Sequence, residues 1–509
     1  MIESRTKNSK RNIYAGLIKQ FLNILFPFII RTIIIYTLGE IYQGLTSLFT
    51  SILHVLNLAE LGFSSAVICV LYKPLADDDL TTVRSIMNYL KRTYKIIGLL
   101  VAGVGIIVAF LLPHLISGEY PDINIYILYA IYLVNSVISY FFFAYKSALL
   151  TAIQREDIVS NISIITTTLL RLTQIILLLT IKDFYAFTLV IPLFTFVNNI
   201  LLQYFSKRYF PQYYPEGNLS PQIKTTLHKN IKGVLINRVG DVARNSFDNL
   251  IISALFGLSL VAIYDNYYYV YSALYGISLV FTHGMQASVG NSISKENTEK
   301  NLNDLNKFTF LFSVLMGWCT ICMACLYQPF MTLWMNNNEN MLLSNTNMML
   351  FCVYFYAITM NNTRNLYING VGLFWECRVW FIIEAAGNLL LNFLFGYLFG
   401  ITGVILATII TIFVFNFITR TNLLFKSYFK ISPTRFYLSH LLYAVVTLLI
   451  GMVTYYACHF INIGGFIELF IKLLICTVIP AILYVLIYIK TERMQDAVTL
   501  IKKILKRKI

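Results

Sequence analysis

The chain has 509 residues, 58% of them hydrophobic and only 12% charged, with a mean hydropathy of +0.69 and a net charge of +15. A composition this apolar over this length belongs in a bilayer and excludes a soluble enzyme. The basic excess then reads as membrane topology and attraction to anionic lipid, and it gives no support to nucleic acid binding.

Apolar segments long enough to cross a membrane, about 20 residues each, fill the chain. Fourteen are predicted, at 13–38, 43–72, 94–116, 124–150, 158–181, 184–206, 231–257, 259–289, 308–334, 342–370, 379–399, 401–425, 436–460 and 466–490. With the N-terminus inside, 32 of the 39 Lys and Arg fall at cytoplasmic ends and links, only Lys182 lies on an outside loop, and Lys19, Arg31, Arg171, Arg238, Arg244 and Lys472 lie within spans. That asymmetry places both termini in the cytoplasm. Span 1 lacks a small-residue cleavage site and is expected to be retained.

Polar residues inside spans are costly in lipid and mark candidate function. Span 1 carries Lys19, Asn23 and Arg31 on one face. Lys19 either faces a cavity or snorkels to the inner surface, whereas Arg31 lies too deep to snorkel. Span 2 aligns Ser47, Thr50, His54, Asn57 and Ser64, with Glu60 at the edge of the stripe. Such a stripe either solvates a path or hydrogen-bonds helices together. Span 5 carries Arg171 and Gln174 about one turn apart.

Span 7 is the most polar. Arg238, Asp241, Asn245 and Asp248 fall within a stripe of roughly 80°, widened by Asn237 and Arg244. Span 8 stacks Tyr264, Tyr268, Tyr271 and Tyr275, a wall suited to sugar faces or, more simply, to core packing. Span 11 aligns Glu384, Asn388 and Asn392. Glu384 has no cation in its own span, so Arg238 or Arg244 is the expected partner across a cavity. Glu60, Asp241, Asp248, Glu384 and Asn388 are the candidates for ion pairing or for carrying a coupling proton or sodium ion.

No metal site, catalytic constellation or cofactor motif is expected. Cys322 and Cys325 form a CxxC in mid-span without a redox context and read as small core residues, and the six histidines show no ligand spacing. The cytoplasmic links lack a Gly-rich phosphate loop. The outside loops are too short for the domain that a membrane glycan polymerase or ligase would need.

A shift of 218 positions superposes Asn12, Leu17, Ile33 and Gly39 on Asn230, Leu235, Ile251 and Gly257, and Lys146 on Arg364. The expected fold is therefore all-α and integral to the membrane, with two pseudo-symmetric six-helix lobes plus two C-terminal helices. The N-lobe would occupy 1–206 and a cytoplasmic linker 207–230, with Pro211, Pro215, Gly217 and Pro221 suiting the linker to a hinge. The C-lobe would occupy 231–427, spans 13 and 14 would lie in 428–490, and 491–509 would form a basic amphipathic tail on the inner leaflet.

Leu58-Ala-Glu-Leu-Gly-Phe-Ser-Ser-Ala66 before a charged loop, the charged span 7, and Glu384 to Asn392 followed by Gly400-Ile-Thr-Gly403 together resemble the Wzx-type oligosaccharide repeat-unit flippases. These are polysaccharide transporters of the multidrug/oligosaccharidyl-lipid/polysaccharide exporter (MOP) superfamily. The resemblance covers essentially the whole chain. It implies a V-shaped pair of lobes in the bacterial inner membrane that alternates its access and catalyses nothing. The implied cargo is an undecaprenyl-diphosphate-linked glycan for O-antigen, capsule or exopolysaccharide, with polysaccharide polymerase machinery as a further partner. It carries anion binding to Arg31, Arg171, Arg238 and Arg244, beside Asn57 and Asn245 on the cavity wall. An ion-coupled multidrug antiporter of the same superfamily is the alternative, a lipid-linked peptidoglycan-precursor flippase shares the fourteen-span plan and is not separated by spacing alone, and a membrane glycan polymerase or ligase is more distant.

Overall fold

The computed structural model describes residues 5–118 and 122–495. Within its helices, the side chains of residues 5–15, 17, 59, 61, 62, 65, 226, 229, 230, 232–234, 236–239, 241, 243–245, 283, 287 and 374 lie outside the described set. The expected amphipathic tail falls largely beyond residue 495 and so outside it as well.

The described residues are helical, in the order α1 (Arg5–Thr37), α2 (Glu40–Leu56), α3 (Leu58–Ala76), α4 (Leu80–Leu115), α5 (Ile125–Phe141), α6 (Lys146–Ala152), α7 (Glu156–Thr180), α8 (Phe184–Tyr209) and α9 (Pro221–Phe256). There follow α10 (Leu258–Lys295), α11 (Thr298–Trp334), α12 (Asn345–Val371), α13 (Phe374–Thr411), α14 (Thr419–Leu424), α15 (Thr434–His459) and α16 (Gly465–Tyr488). Among the described residues nine helical stretches are long and apolar enough to cross a membrane, and α5 with α6, bent by 54°, makes a tenth. One of the nine, Trp375–Phe429, is 55 residues long. At about 1.5 Å per residue that is more than twice the bilayer core. It is two spans joined at Gly400, where φ is 65° and ψ is −148°. With the more polar α2–α3, α9 and α10, the helices account for all fourteen predicted spans.

Gly400 occupies a backbone region open essentially to glycine alone. The predicted Gly400 to Gly403 turn is therefore real, and a Cβ at Gly403 would fall 1.9 Å from the Phe395 carbonyl oxygen. Predicted span 2 departs from expectation by breaking at Asn57 into α2 and α3.

The chain forms two compact units, Met1–Ala262 and Ile263–Ile509. In the first, the apolar face of α2 (Leu45, Leu48, Phe49, Ile52) packs in one core with α4 and α5, and Phe49 meets the rings of Tyr129 and Tyr132. Helix α9 packs along α2 and α3 in this same unit. Gly44 permits a close approach there, since a Cβ would stand 2.2 Å from the Leu258 carbonyl oxygen. The linker is fastened at its start: Arg84 Nε donates to Gln212 O at 2.9 Å, Asn88 Nδ2 donates to Gly217 O at 2.8 Å, and the Arg84 guanidinium lies 4.0 Å over the Tyr214 ring.

In the second unit, two of the four stripe tyrosines of α10 lie in the core, and Tyr268 and Tyr275 are half-buried. Tyr264 and Tyr271 are buried against Phe351, and Tyr271 stacks on Tyr354 with centroids 4.5 Å apart. Helices α15 and α16 pack on α11 and on each other through Phe310, Ile321, Ile450, Tyr443 and Tyr488.

Candidate functional site

Each unit holds a buried polar cluster built around an interruption in a helix. In the first unit the interruption is Asn57, which ends α2 and begins α3. Its N–H closes on Leu53 O at 2.9 Å and its carbonyl accepts from the Glu60 N–H at 3.0 Å, so the backbone is satisfied through the break. The side chains then converge. Asn57 Nδ2 donates to Ser136 Oγ at 3.3 Å. Tyr140 Oη lies 2.8 Å from Asn57 Oδ1 and 3.0 Å from Glu60 Oε2, sharing one proton between two acceptors. Tyr94 Oη donates to Glu60 Oε1 at 3.3 Å. Among the described residues the Glu60 carboxylate is held by phenols and by no cation.

Helices α2 and α9 are also hydrogen-bonded to each other in this unit. His54 Nδ1 lies 3.1 Å from Ser246 Oγ, and Asn249 Nδ2 donates to Ser51 Oγ at 3.0 Å. Asp248 is buried. The side chains of Arg238, Asp241, Arg244 and Asn245 lie outside the described residues, so only their place on α9 is fixed, along the helix that packs on α2 and α3. On another wall of this unit α1 packs against α7. Arg171 NH1 donates to Gln174 Oε1 at 2.9 Å, Gln174 Nε2 donates to Phe187 O at 3.2 Å, and Arg31 is a charge neighbour of Arg171. Two predicted cavity cations are thus brought together from α1 and α7.

In the second unit Glu384 is 2% exposed and pairs with Arg420, itself 5% exposed. This cation comes from α14, the continuation of the next span; the side chains of Arg238 and Arg244, the candidates from the sequence, lie outside the described residues. Asn416 Nδ2 donates to both carboxylate oxygens of Glu384, at 3.1 and 3.3 Å. Arg364 is 1% exposed. Its NH1 donates to Asn416 O at 2.9 Å, Phe417 O at 3.1 Å and Thr421 Oγ1 at 3.3 Å, and its NH2 to Asn416 Oδ1 at 2.6 Å. The acceptors Asn416 and Phe417 lie in a π-helical turn, Ile412–Ile418, between α13 and α14. Such a turn widens the helix and re-aims its groups, and the guanidinium uses the carbonyls presented there. Asn388 Nδ2 donates to Thr408 Oγ1 at 3.1 Å, and Asn388 Oδ1 accepts from Asn392 Nδ2 at 3.2 Å.

Arg364, Asn416 and Arg420 were not expected at a site. Both arginines lie near cytoplasmic span ends and read there as topology signals. The run Asn361-Asn362-Thr363-Arg364-Asn365 was the available clue, being too polar for a lipid-facing turn. The superposition of Lys146 on Arg364 was another. Lys146 is also buried, and its Nζ donates to Tyr213 O at 3.4 Å. Among the described residues the second unit's cluster holds two guanidinium groups and one carboxylate, all buried. Both clusters pair and orient polar side chains.

No sequence-family profile and no curated protein sequence matches the chain. Solved structures do. The chain is similar to the lipid II flippase MurJ in an inward-closed conformation, with TM-score 0.68 and 15% identity, covering 94% of this chain and 99% of that one. It is similar to an inward-facing multidrug resistance MATE transporter of the MOP superfamily (TM-score 0.63, 12% identity, 80% of this chain and 96% of that one). A MOP transporter from Pyrococcus furiosus, described as having a binding pocket of reversed polarity, gives TM-score 0.57 at 12% identity over 82% of this chain and 95% of that one. At these identities the likeness is one of fold: the chain is a multi-pass all-α membrane protein with the architecture of MOP transporters and flippases.

Proposed function

We propose that this protein is a flippase that moves an undecaprenyl-diphosphate-linked oligosaccharide from the cytoplasmic to the outer leaflet by alternating access, in the service of O-antigen, capsule or exopolysaccharide assembly. The observation that carries the reading is the extent of the likeness. A lipid II flippase is matched over 94% of this chain, against 80% for a multidrug resistance MATE transporter. The physical task fits the residues. A sugar headgroup crossing hydrocarbon would leave its hydroxyls unpaired at several kcal/mol each, so it needs a polar path while the prenyl tail stays in lipid. Arg31, Arg171, Arg238 and Arg244 supply cations for the diphosphate, Asn57 and Asn245 supply hydrogen bonds, and Glu60, Asp241 or Asp248 would carry a coupling proton or sodium ion. The protein works in the bacterial inner membrane with both termini cytoplasmic and hands its cargo to polymerase machinery.

The test is deletion of the gene with mass-spectrometric quantification of polyprenyl-diphosphate glycans, then complementation. Accumulation of one unpolymerised repeat unit with loss of a surface polymer is expected. Unchanged lipid intermediates with heightened sensitivity to toxic small molecules would replace this reading with the drug-antiporter one. An Arg238→Ala, Arg244→Ala double variant expressed at the normal level should fail to complement.

A further inference from the structure

Cysteines far apart in sequence meet where the last two helices join the second unit. Cys325 on α11, Cys458 on α15 and Cys476 on α16 are all buried, and their three sulfurs lie within 4.8 Å of one another, with Cys458 and Cys476 3.9 Å apart. Metal–thiolate bonds are about 2.3 Å long, so three sulfurs spread at 120° around one centre stand about 4.0 Å from each other. The Cys458–Cys476 separation matches that spacing and is about twice the separation within a disulfide, and the other two pairs lie within 4.8 Å.

We propose that Cys325, Cys458 and Cys476 form a binding site for a thiophilic d10 cation, zinc(II) or copper(I), that pins α15 and α16 to α11. The donor set is all sulfur in an apolar surround of Ile321, Ile450 and Tyr484, which selects soft cations and rejects magnesium and calcium. Cys322 stands one turn before Cys325 with its Sγ 3.9 Å from the Cys476 carbonyl oxygen, in reserve as a fourth donor. Each thiol that coordinates loses its proton to water, and zinc(II) with three thiolates carries one negative charge. Lys472, buried one turn before Cys476 and a charge neighbour of Cys458, places an ammonium near that charge. Lys472 in turn pairs with Glu468 at 2.5 Å, which holds the ammonium in place.

The experiment uses the full chain purified under a non-thiol reductant, loaded separately with zinc(II), copper(I) or cobalt(II), desalted and measured by elemental mass spectrometry. About one equivalent of zinc or copper should remain, and cobalt should give sulfur-to-metal charge-transfer absorption in the near ultraviolet. Cys476→Ser should lose at least about tenfold in retained metal, while Cys69→Ser, on the exposed side of α3, should retain it. The two metal arms identify the preferred cation. If Cys476→Ser does not fold, metal protection of Cys325, Cys458 and Cys476 in the wild type against alkylation, mapped by peptide mass, gives the same answer. Retention below about a tenth of an equivalent in the wild type, equal retention by Cys476→Ser, or a Cys458–Cys476 disulfide in the unreduced protein would overturn the proposal.

Discussion

At the scale of single residues, the most consequential contact is that of Glu384 with Arg420. Both are buried, so removing one partner strands a charge. Arg420→Ala should lower stability by about 3 to 5 kcal/mol, read as a fall in the thermal midpoint in detergent. The double variant Glu384→Gln, Arg420→Gln should recover part of that loss, because neither charge is then left unpaired. If Arg420→Ala keeps the wild-type midpoint, the pair is not held as the structure shows. Tyr140→Phe removes one hydroxyl shared by Asn57 and Glu60, which predicts a cost of about 1 to 3 kcal/mol and slower clearance of lipid intermediates in the complementation assay.

Asp79 gives a pH prediction outside the membrane. It caps α4, its carboxylate accepting from Thr81 Oγ1 at 2.6 Å and the Thr82 N–H at 3.0 Å. These bonds, the Thr81 hydroxyl first, hold its carboxyl down from 3.8 to about 2. Because the folded value is depressed, the cap contributes fully above the ordinary carboxylate range and is lost as pH falls through about 2. Protection of the first amides of α4, taken relative to their intrinsic exchange rate at each pH, should therefore be unchanged between neutral pH and about 4 and fall only in stronger acid, whereas Asp79→Asn should remove that acid dependence.

At the scale of elements, the helix interruptions do the positioning. The Asn57 break turns polar side chains of α2 and α3 toward Tyr94 and Tyr140, and the π-helical turn at Ile412–Ile418 offers carbonyls to Arg364. The Gly400 kink reverses the chain so that Glu384 and Arg420 can meet. Gly400→Ala forces a Cβ into a conformation reserved for glycine and should cost about 1 to 3 kcal/mol. The thermal midpoint in detergent reads this loss, and an unchanged midpoint would show that a side chain is tolerated at the kink.

At the scale of the whole molecule, the charge asymmetry predicts topology directly. A cysteine replacing Lys182 should react with an impermeant thiol reagent from outside, and one replacing Lys300, paired with Glu296 at 2.7 Å, only after the membrane is opened. Outside labelling at Lys300 would invert the orientation. Within the first unit, the chain from Met1 to Ala262 takes α9 into the same compact body as α1 to α8, so a polar helix on the far side of the linker is packed against α2 and α3.

The sequence by itself determined the helical membrane fold, the fourteen spans and the glycine turn at Gly400, because hydropathy and backbone permissiveness are local properties that no distant contact overrides. It also marked Asn57, Glu60, Arg171 and Glu384, since a polar residue in an apolar run is conspicuous wherever it ends up. Only tertiary structure decided partners. That Glu384 meets Arg420, that Arg364 is buried on a π-helical turn, and that Cys325 meets Cys458 and Cys476 depend on helix rotation and on which helices are neighbours. Those are set by packing over the whole unit, and a side chain read in its own span carries no information about what faces it from another.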